Sequence, residues 1–234
     1  MLHIYKDAEE VCDTLAIWIA DLINKTLSEK EKFMWALSGG ETPKMLYQKL
    51  AADYHDKIKW EQVHIFWGDE RFVPFDDPAN NAKMAYDTLL SKVKIPGTQI
   101  HKMRTDILPE ASAKEYEEIL HQYFKNNTTT FDLTLLGMGD DGHTLSIFPG
   151  TDISTSQWVS AIHSKQKGER ISLMPSVVNR SASIAFLVTG DKKAKVLHEI
   201  LNEPEKHNYP AQLIKPANGV LHWFLDEGAA GFLK

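Results

Sequence analysis

Short apolar runs alternate with stretches of helical periodicity along this chain, and the alternation constrains its fold more than any other feature. Mainly apolar segments of strand length lie at 33–37, 63–67, 131–136 and 184–188, with weaker candidates at 158–162, 171–173 and 220–225. Apolar residues at helical spacing predict helices over 7–29, 43–52, 81–92, 110–124 and 191–202. Strands alternating with helices predict an α/β fold with a mainly parallel sheet and helices on both faces.

Length and composition favour one domain, which we expect to span residues 1–234. Of the 234 residues, 43% are hydrophobic and 25% are charged, so one large core can form but two are less readily supplied. Cys12 is the one cysteine, and the absence of a disulfide framework suits a reducing compartment. The first residues lack the basic start of a secretory signal. We therefore expect a cytoplasmic protein.

The expected partner is a small molecule. A formal net charge of −6 argues against a nucleic-acid backbone as the main partner, although one cleft can still be basic. Apolar runs stay well short of the ~20 residues that cross a bilayer, so no membrane partner is expected. HExxH and paired Cys–His spacings are absent, so we expect neither a metal nor another cofactor. Whether the protein is a monomer or a homodimer stays open.

Glycine-rich, charged loops follow the apolar runs. Their sequences are SGGETP, GDER, GMGDDGH and TGDKK. In a parallel sheet the carboxyl ends of the strands lie at one edge, where ligands bind. These loops therefore predict a binding site at that edge, without identifying a reaction.

The loop after the first apolar run has the features of a phosphate site. Ser38, Gly39 and Gly40 precede Thr42, which can cap a helix that begins at Pro43. Free N–H groups at a helix N-terminus bind anions. Neither a Walker loop nor a dinucleotide fingerprint is present, and a tight turn without a ligand is the alternative.

Arg170 and Lys193 are further candidates for phosphate contacts. Lys193 lies near the start of a predicted helix, where a bound phosphate would relieve the conflict between its charge and the helix dipole. Asp191 as an N-cap would relieve it too, and Lys193 could equally be a solvated surface residue. Arg170 could hold a phosphate in bidentate fashion, but only if its strand runs antiparallel to the others.

Two charged loops offer groups for hydrolysis. His143 follows Asp140, Asp141 and Gly142, and histidine is the side chain best suited to take a proton from water near neutral pH. Asp69 could orient that imidazole, and Arg71 could stabilise developing negative charge. GxSxG is absent and Cys12 lies in a helical segment, so activated water is a simpler proposal than a covalent intermediate. A structural role for His143 is the alternative.

Longer blocks resemble the 6-phosphogluconolactonase family, in family order from about residue 33 to the C-terminus. They include ALSGGETPKMLY, WGDERFVPFDDPANNAKMAYDTLL, DLTLLGMGDDGHTLSIFPG, ISLMPSVVNRS, FLVTGDKKAKVL and PAQLIKPANG. The resemblance implies a Rossmann-like three-layer αβα sandwich. It also implies hydrolysis of 6-phosphoglucono-1,5-lactone to 6-phosphogluconate, the second step of the pentose phosphate pathway.

The resemblance also implies roles for matched residues. His143 would activate water, Asp69 and Arg71 would line the lactone, and Asn81 would shape the pocket. The residues that would hold the phosphate are Ser38, Gly39, Gly40, Thr42, Arg170 and Lys193. Three positions depart from the family pattern, namely Glu41, Asn80 and Leu145, and we expect the Glu41 side chain to point outward.

Two other functions fit parts of this pattern. The related glucosamine-6-phosphate deaminases carry a glutamate five residues after the histidine, where this chain has Phe148, and they lack an arginine at the position of Arg71. A non-catalytic sugar-phosphate sensor would be joined to a DNA-binding module. No helix-turn-helix segment precedes the domain here, and His143 and Asp69 are both present, so we expect a lactonase.

Overall fold

Strands and helices alternate along the chain in the computed structural model, which describes residues 1–153 and 156–233. The strands are β1 (Leu2–Tyr5), β2 (Phe33–Leu37), β3 (Val63–Trp67), β4 (Asp69–Arg71), β5 (Leu133–Leu136), β6 (Val159–Ser164), β7 (Gly168–Leu173), β8 (Ser183–Val188) and β9 (Val220–Asp226). The α-helices are α1 (Ala8–Glu29), α2 (Glu41–Asp53), α3 (Asn81–Ala85), α4 (Pro109–Phe124), α5 (Pro175–Val178) and α6 (Ala194–Asn202). Among these described helices, none combines the length and the apolar character that a bilayer crossing requires.

The main sheet is parallel, as the alternation predicts. Its strand order is β1-β9-β8-β5-β2-β3. From β2 the chain adds β3 on one side, whereas β5, β8 and β9 are added on the other. The direction of winding therefore changes between β2 and β5. Ligands of such sheets bind outside the carboxyl ends of the strands at this switch point.

Helices cover both faces of the sheet, which explains why its central strands are mainly apolar. Trp35 of β2 packs with Leu15 of α1 and Leu46 of α2 in one core. Ala36, the next residue, lies in the opposite core with Tyr116 of α4. Successive strand residues point to opposite faces, and along β2 a helical layer covers each face, so both sets are apolar. The three-layer arrangement is thus confirmed.

A small antiparallel sheet of order β4-β7-β6 lies beside the main one. Its apolar residues Ile171 and Leu173 join the core that contains α4. The sequence predicts only a loop at β4, and that prediction is wrong, because pairing with β7 makes a strand of three charged residues. Within this pairing Arg71 lies opposite Arg170. The strand that carries Arg170, β7, is therefore antiparallel to its neighbour, as is required for Arg170 to reach the site.

Two pairs of neighbouring histidines lead us to expect that the folded protein loses stability at acidic pH. Burial lowers the pKa of His101, beside His64, and of His222, beside His3, from 6.5 to about 4. Between those pH values the unfolded chain binds protons that the folded chain does not, so stability falls as pH drops from 6.5 to 4. We expect a loss of about 1–3 kcal/mol per histidine. H101Q and H222N should each flatten this loss in urea unfolding at pH 7.5 and pH 5, whereas the exposed-site control H55Q should not. An unaltered pH dependence in both variants would contradict this prediction.

Candidate active site

A cleft of about 330 Å³ opens at the switch point. Its floor is formed by the residues that directly follow β2 and β5, namely Ser38, Gly39, Gly137, Met138 and Gly139. Its remaining wall is formed by Asp69, Arg71, Asn81, His143, Leu145, Ser146, Phe148, Lys167, Arg170 and Lys193. The four charged loops therefore meet at one edge of the sheet, as their positions after the strands predict.

Most of the residues singled out from the sequence line this cleft, but Gly40 and Thr42 do not. The helix begins at Glu41, with Gly40 as its N-cap at a φ of 111°, so the predicted cap at Thr42 and start at Pro43 are wrong. A left-handed φ that favours glycine turns the chain into the helix before Thr42 is reached. The Thr42 hydroxyl instead shares a hydrogen bond of 2.9 Å with Thr189. The Glu41 side chain is 91% exposed, as expected.

The imidazole of His143 is oriented by Asp141. Its Nδ1 lies 2.5 Å from Asp141 Oδ1, and the ring packs against Phe148 with 4.9 Å between centroids. Although burial opposes ionisation, hydrogen bonds from His143 hold the pKa of Asp141 below its usual range. The side chain of His143 is 27% exposed, so water can reach the ring. Nδ1 faces the carboxylate, and Nε2 is left to act on a ligand.

Asp69, the carboxylate that the sequence suggests for orienting His143, has another partner. Its Oδ2 accepts a hydrogen bond of 2.6 Å from the Ser146 hydroxyl. Ser146 follows Leu145, which lies in the left-handed region at a φ of 56°. A leucine rarely adopts this conformation, and strained residues of this kind cluster at functional sites. The structure thus joins Asp69 to the end of the His143 loop and leaves orientation of the ring to Asp141.

The loop that carries His143 is fastened by a distant segment. Gly142 adopts a φ of 73°, and a Cβ added there would lie 2.4 Å from the Tyr209 ring. The N–H of Ala211 donates a 3.0 Å hydrogen bond to the Gly142 carbonyl. The Tyr209 hydroxyl donates to Glu199 of α6 at 2.5 Å. Sequence reasoning missed this support, because no local pattern links residues about 70 positions apart.

Glu70 organises the opposite wall although it does not line the cleft. Its carboxylate accepts hydrogen bonds from the backbone N–H groups of Asn81 and Ala82, at 2.7 and 2.8 Å. Burial raises the pKa of Glu70 to about 7, against the opposing effect of these hydrogen bonds. The Asn81 amide then donates to the Asp69 carbonyl at 2.9 Å. Glu70 therefore satisfies the first two N–H groups of α3, beside the N-cap residue Asn80, and holds Asn81 against the cleft.

The cleft wall carries an excess of positive charge. Arg71 and Arg170 lie side by side, and burial, followed by the charge of Arg71, lowers the pKa of Arg170. Lys193 forms an ion pair with Asp140. Among the described residues that line the cleft, Asp69 alone has an acidic side chain. Such an arrangement favours a ligand with at least two negative charges.

Among the described residues, no three or more His, Cys, Asp or Glu side chains are grouped so that they could hold a metal ion. The chemistry available in the cleft is that of an imidazole with a carboxylate behind it, next to guanidinium and ammonium groups. This combination can activate water and stabilise an anionic intermediate.

Comparison with known proteins identifies relatives of this chain. A model of the glucosamine-6-phosphate isomerases and 6-phosphogluconolactonase matches residues 6–223. The 6-phosphogluconolactonase of Synechocystis sp. is 39% identical over 93% of this chain and 92% of its own length. A probable chloroplastic 6-phosphogluconolactonase of Oryza sativa is 37% identical over 97% and 74%. The 6-phosphogluconolactonase of Thermotoga maritima superposes with a TM-score of 0.84 at 30% identity, covering 97% of this chain and 99% of its own.

Proposed function

The chain belongs to the glucosamine-6-phosphate isomerase and 6-phosphogluconolactonase family, and from this premise we infer that it hydrolyses 6-phospho-D-glucono-1,5-lactone to 6-phospho-D-gluconate. The observation that supports this function best is the position of His143. Backed by Asp141, it lies in the same cleft as Arg71, Arg170 and Lys193. A base for water and cations for a phosphate and for an oxyanion are therefore within one small site.

Phosphate binding begins the proposed sequence of events. Arg170 and Lys193 neutralise the phosphate charge, and the Ser38 hydroxyl and the Gly39 backbone line the cleft, where they can add hydrogen bonds. Asn81 shapes the wall beside them. Gly40 and Thr42 lie outside the cleft wall, so we give them no direct contact. Held by its phosphate, the substrate presents its lactone carbonyl to His143.

Hydrolysis then requires one activated water. His143 Nε2 takes a proton from water while the water oxygen forms a bond to the carbonyl carbon. Asp141 stabilises the resulting imidazolium through Nδ1, and Arg71 stabilises the tetrahedral oxyanion. When the oxyanion collapses, the bond from the carbonyl carbon to the ring oxygen breaks, and His143 returns its proton to that oxygen. General-base catalysis contributes about 10²–10⁴-fold, and stabilisation of the oxyanion adds about 10²–10³-fold.

A deaminase-like isomerase has less support in this cleft. The proton exchange of that reaction is assigned to a glutamate at the position of Phe148. Here the Phe148 ring packs on His143 and offers no proton. Phe148 thus gives the imidazole an apolar neighbour, and the carboxylate in contact with the ring is that of Asp141, at Nδ1. Water activation is what this arrangement favours.

The decisive experiment compares substrates of the two reactions. A pH-stat assay on freshly prepared 6-phosphogluconolactone should record acid release above the spontaneous rate. Glucosamine 6-phosphate, supplied in a parallel assay for ammonia, should give no turnover. Ammonia release without lactone hydrolysis would overturn the proposed function, and so would inactivity on both substrates by a folded protein.

Arg170 provides a test of the phosphate site. Loss of a charge-assisted hydrogen bond costs about 1.5–3 kcal/mol, so R170A should raise KM for the lactone roughly 10–100-fold. Phosphate binding is similar in the ground and transition states, so kcat should change only a few-fold. The matched control is R104A, which removes an arginine paired with Asp106 away from the cleft wall. Equal KM values for R170A and R104A would remove Arg170 from the phosphate site.

We propose that the protein acts in the cytoplasm. The single thiol, Cys12, is buried, and burial raises its pKa to about 12, so it is unreactive and needs no oxidising compartment. The relative from rice is described as chloroplastic, so compartments differ among these proteins. Fractionation of cells from the source organism, followed by immunoblotting, tests the assignment.

A further inference from the structure

Lys167 lies on the cleft wall although no sequence motif points to it. It belongs to the tight turn between β6 and β7, where its N–H donates to the Ser164 hydroxyl at 3.1 Å. Gly168, the next residue, adopts a φ of 73° and begins β7, which carries Arg170 into the cleft. The turn therefore places an exposed ammonium group beside a guanidinium that we assign to the substrate.

The cationic side chains of the cleft differ in the partners that they already have within the protein. Lys193 is paired with Asp140. Arg71 donates to the Ala79 carbonyl at 2.7 Å, and Arg170 donates to the Glu169 carbonyl at 3.3 Å. Within residues 1–153 and 156–233, the ammonium group of Lys167 makes no hydrogen bond or ion pair. All three of its donors are thus available to a ligand.

The position of Lys167 is at the rim of the cleft. Together with Phe148 it also lines a neighbouring cavity of about 670 Å³, whose wall includes Asp141, His163 and Lys165. These two residues are shared by both cavities. Phe148 also packs on His143, so the border between the two cavities lies next to the proposed base. A long, flexible ammonium side chain is suited to a contact at such an edge.

We propose that Lys167 determines specificity for phosphorylated substrates by contacting the phosphate group from the rim of the cleft. The proposal rests on the proposed function, because it takes the lactone's phosphate as the anion. A phosphate carries close to two negative charges at pH 7, and Lys193 is already partly neutralised by Asp140. Lys167 supplies an ammonium group that forms no ion pair with a carboxylate of the described residues.

The test compares two lysines of the same turn. K167A removes the cleft lysine, whereas K165A removes an equal charge two residues away that lines only the neighbouring cavity. For 6-phosphogluconolactone, K167A should raise KM roughly 5–20-fold with kcat within about twofold, as expected for a partly exposed charged contact. K165A should leave KM within about twofold. K167R should restore most of the loss.

Substrate chemistry then identifies the group that Lys167 contacts. The kcat/KM for unphosphorylated glucono-1,5-lactone should be the same for K167A and the wild-type protein, and inorganic phosphate should inhibit K167A more weakly. Equal losses on both lactones would overturn the phosphate contact. Indistinguishable KM values for K167A and K165A would do so too.

Binding measurements separate this proposal from the proposed function. Calorimetric titration with 6-phosphogluconate measures phosphate recognition without catalysis. If wild-type protein bound 6-phosphogluconate but did not hydrolyse the lactone, the function would be wrong, and weaker binding by K167A would still support the contact. If K167A bound 6-phosphogluconate as tightly as wild type, the role of Lys167 would be refuted while the lactonase function stood.

Discussion

Replacement of His143 by alanine should lower kcat for 6-phosphogluconolactone by about 10²–10⁴-fold, the contribution of a general base. The imidazole is the group in the cleft that can accept a proton from water near neutral pH, since Asp141 already faces its Nδ1 and Asp69 accepts from Ser146. KM should stay within a few-fold, because the phosphate contacts are untouched. Initial rates in a pH-stat, corrected for spontaneous hydrolysis, provide the measurement.

The control for this experiment is H163A. His163 is exposed, pairs with Glu110, and lines the neighbouring cavity but not the cleft. Its replacement should leave kcat unchanged, and circular dichroism should confirm that both variants fold. Nearly full kcat in H143A would remove His143 from the mechanism and, with it, the proposal of a general base.

Replacement of Asp141 by asparagine should lower kcat roughly 10–100-fold, which corresponds to loss of a charge-assisted hydrogen bond. An amide is nearly the same size as a carboxylate, but it cannot stabilise the imidazolium that forms when His143 accepts a proton. It can also donate to Nδ1 and so favour the tautomer whose Nε2 carries the proton and cannot act as a base. Because Nδ1 and Oδ1 lie 2.5 Å apart, this substitution should impair His143 without removing it.

Two neighbouring carboxylates make this test specific. D140N removes the same charge one residue earlier, at a side chain paired with Lys193, and should act mainly on KM. D69N removes the carboxylate that sequence reasoning suggested for orienting the imidazole, and should lower kcat less than D141N. A larger fall in kcat for D69N would return the orienting role to Asp69.

Local sequence was sufficient to predict the scaffold and the location of the site. The runs at β2, β3, β5 and β8 are mainly apolar because helices cover both faces of the sheet, and that pattern can be recognised without coordinates. A parallel sheet brings the carboxyl ends of its strands to one edge whatever the details of the helices. The loops that contain Ser38, Asp69, His143 and Lys193 were therefore expected to meet, and they line one cleft.

Partners across the cleft were decided by the tertiary structure alone. Asp69 and Ser146 are separated by 77 residues, and whether Asp69 meets Ser146 or His143 depends on how two loops pack. The antiparallel pairing that places Arg170 beside Arg71, and Lys167 at the rim, involves strands about 100 residues apart. Periodicity and turn chemistry act over a few residues, whereas a hydrogen bond between distant side chains needs a geometry that only the packed chain supplies. The sequence by itself thus indicated which loops come to this edge, and the tertiary structure decided which of their side chains line the cleft and which of them touch.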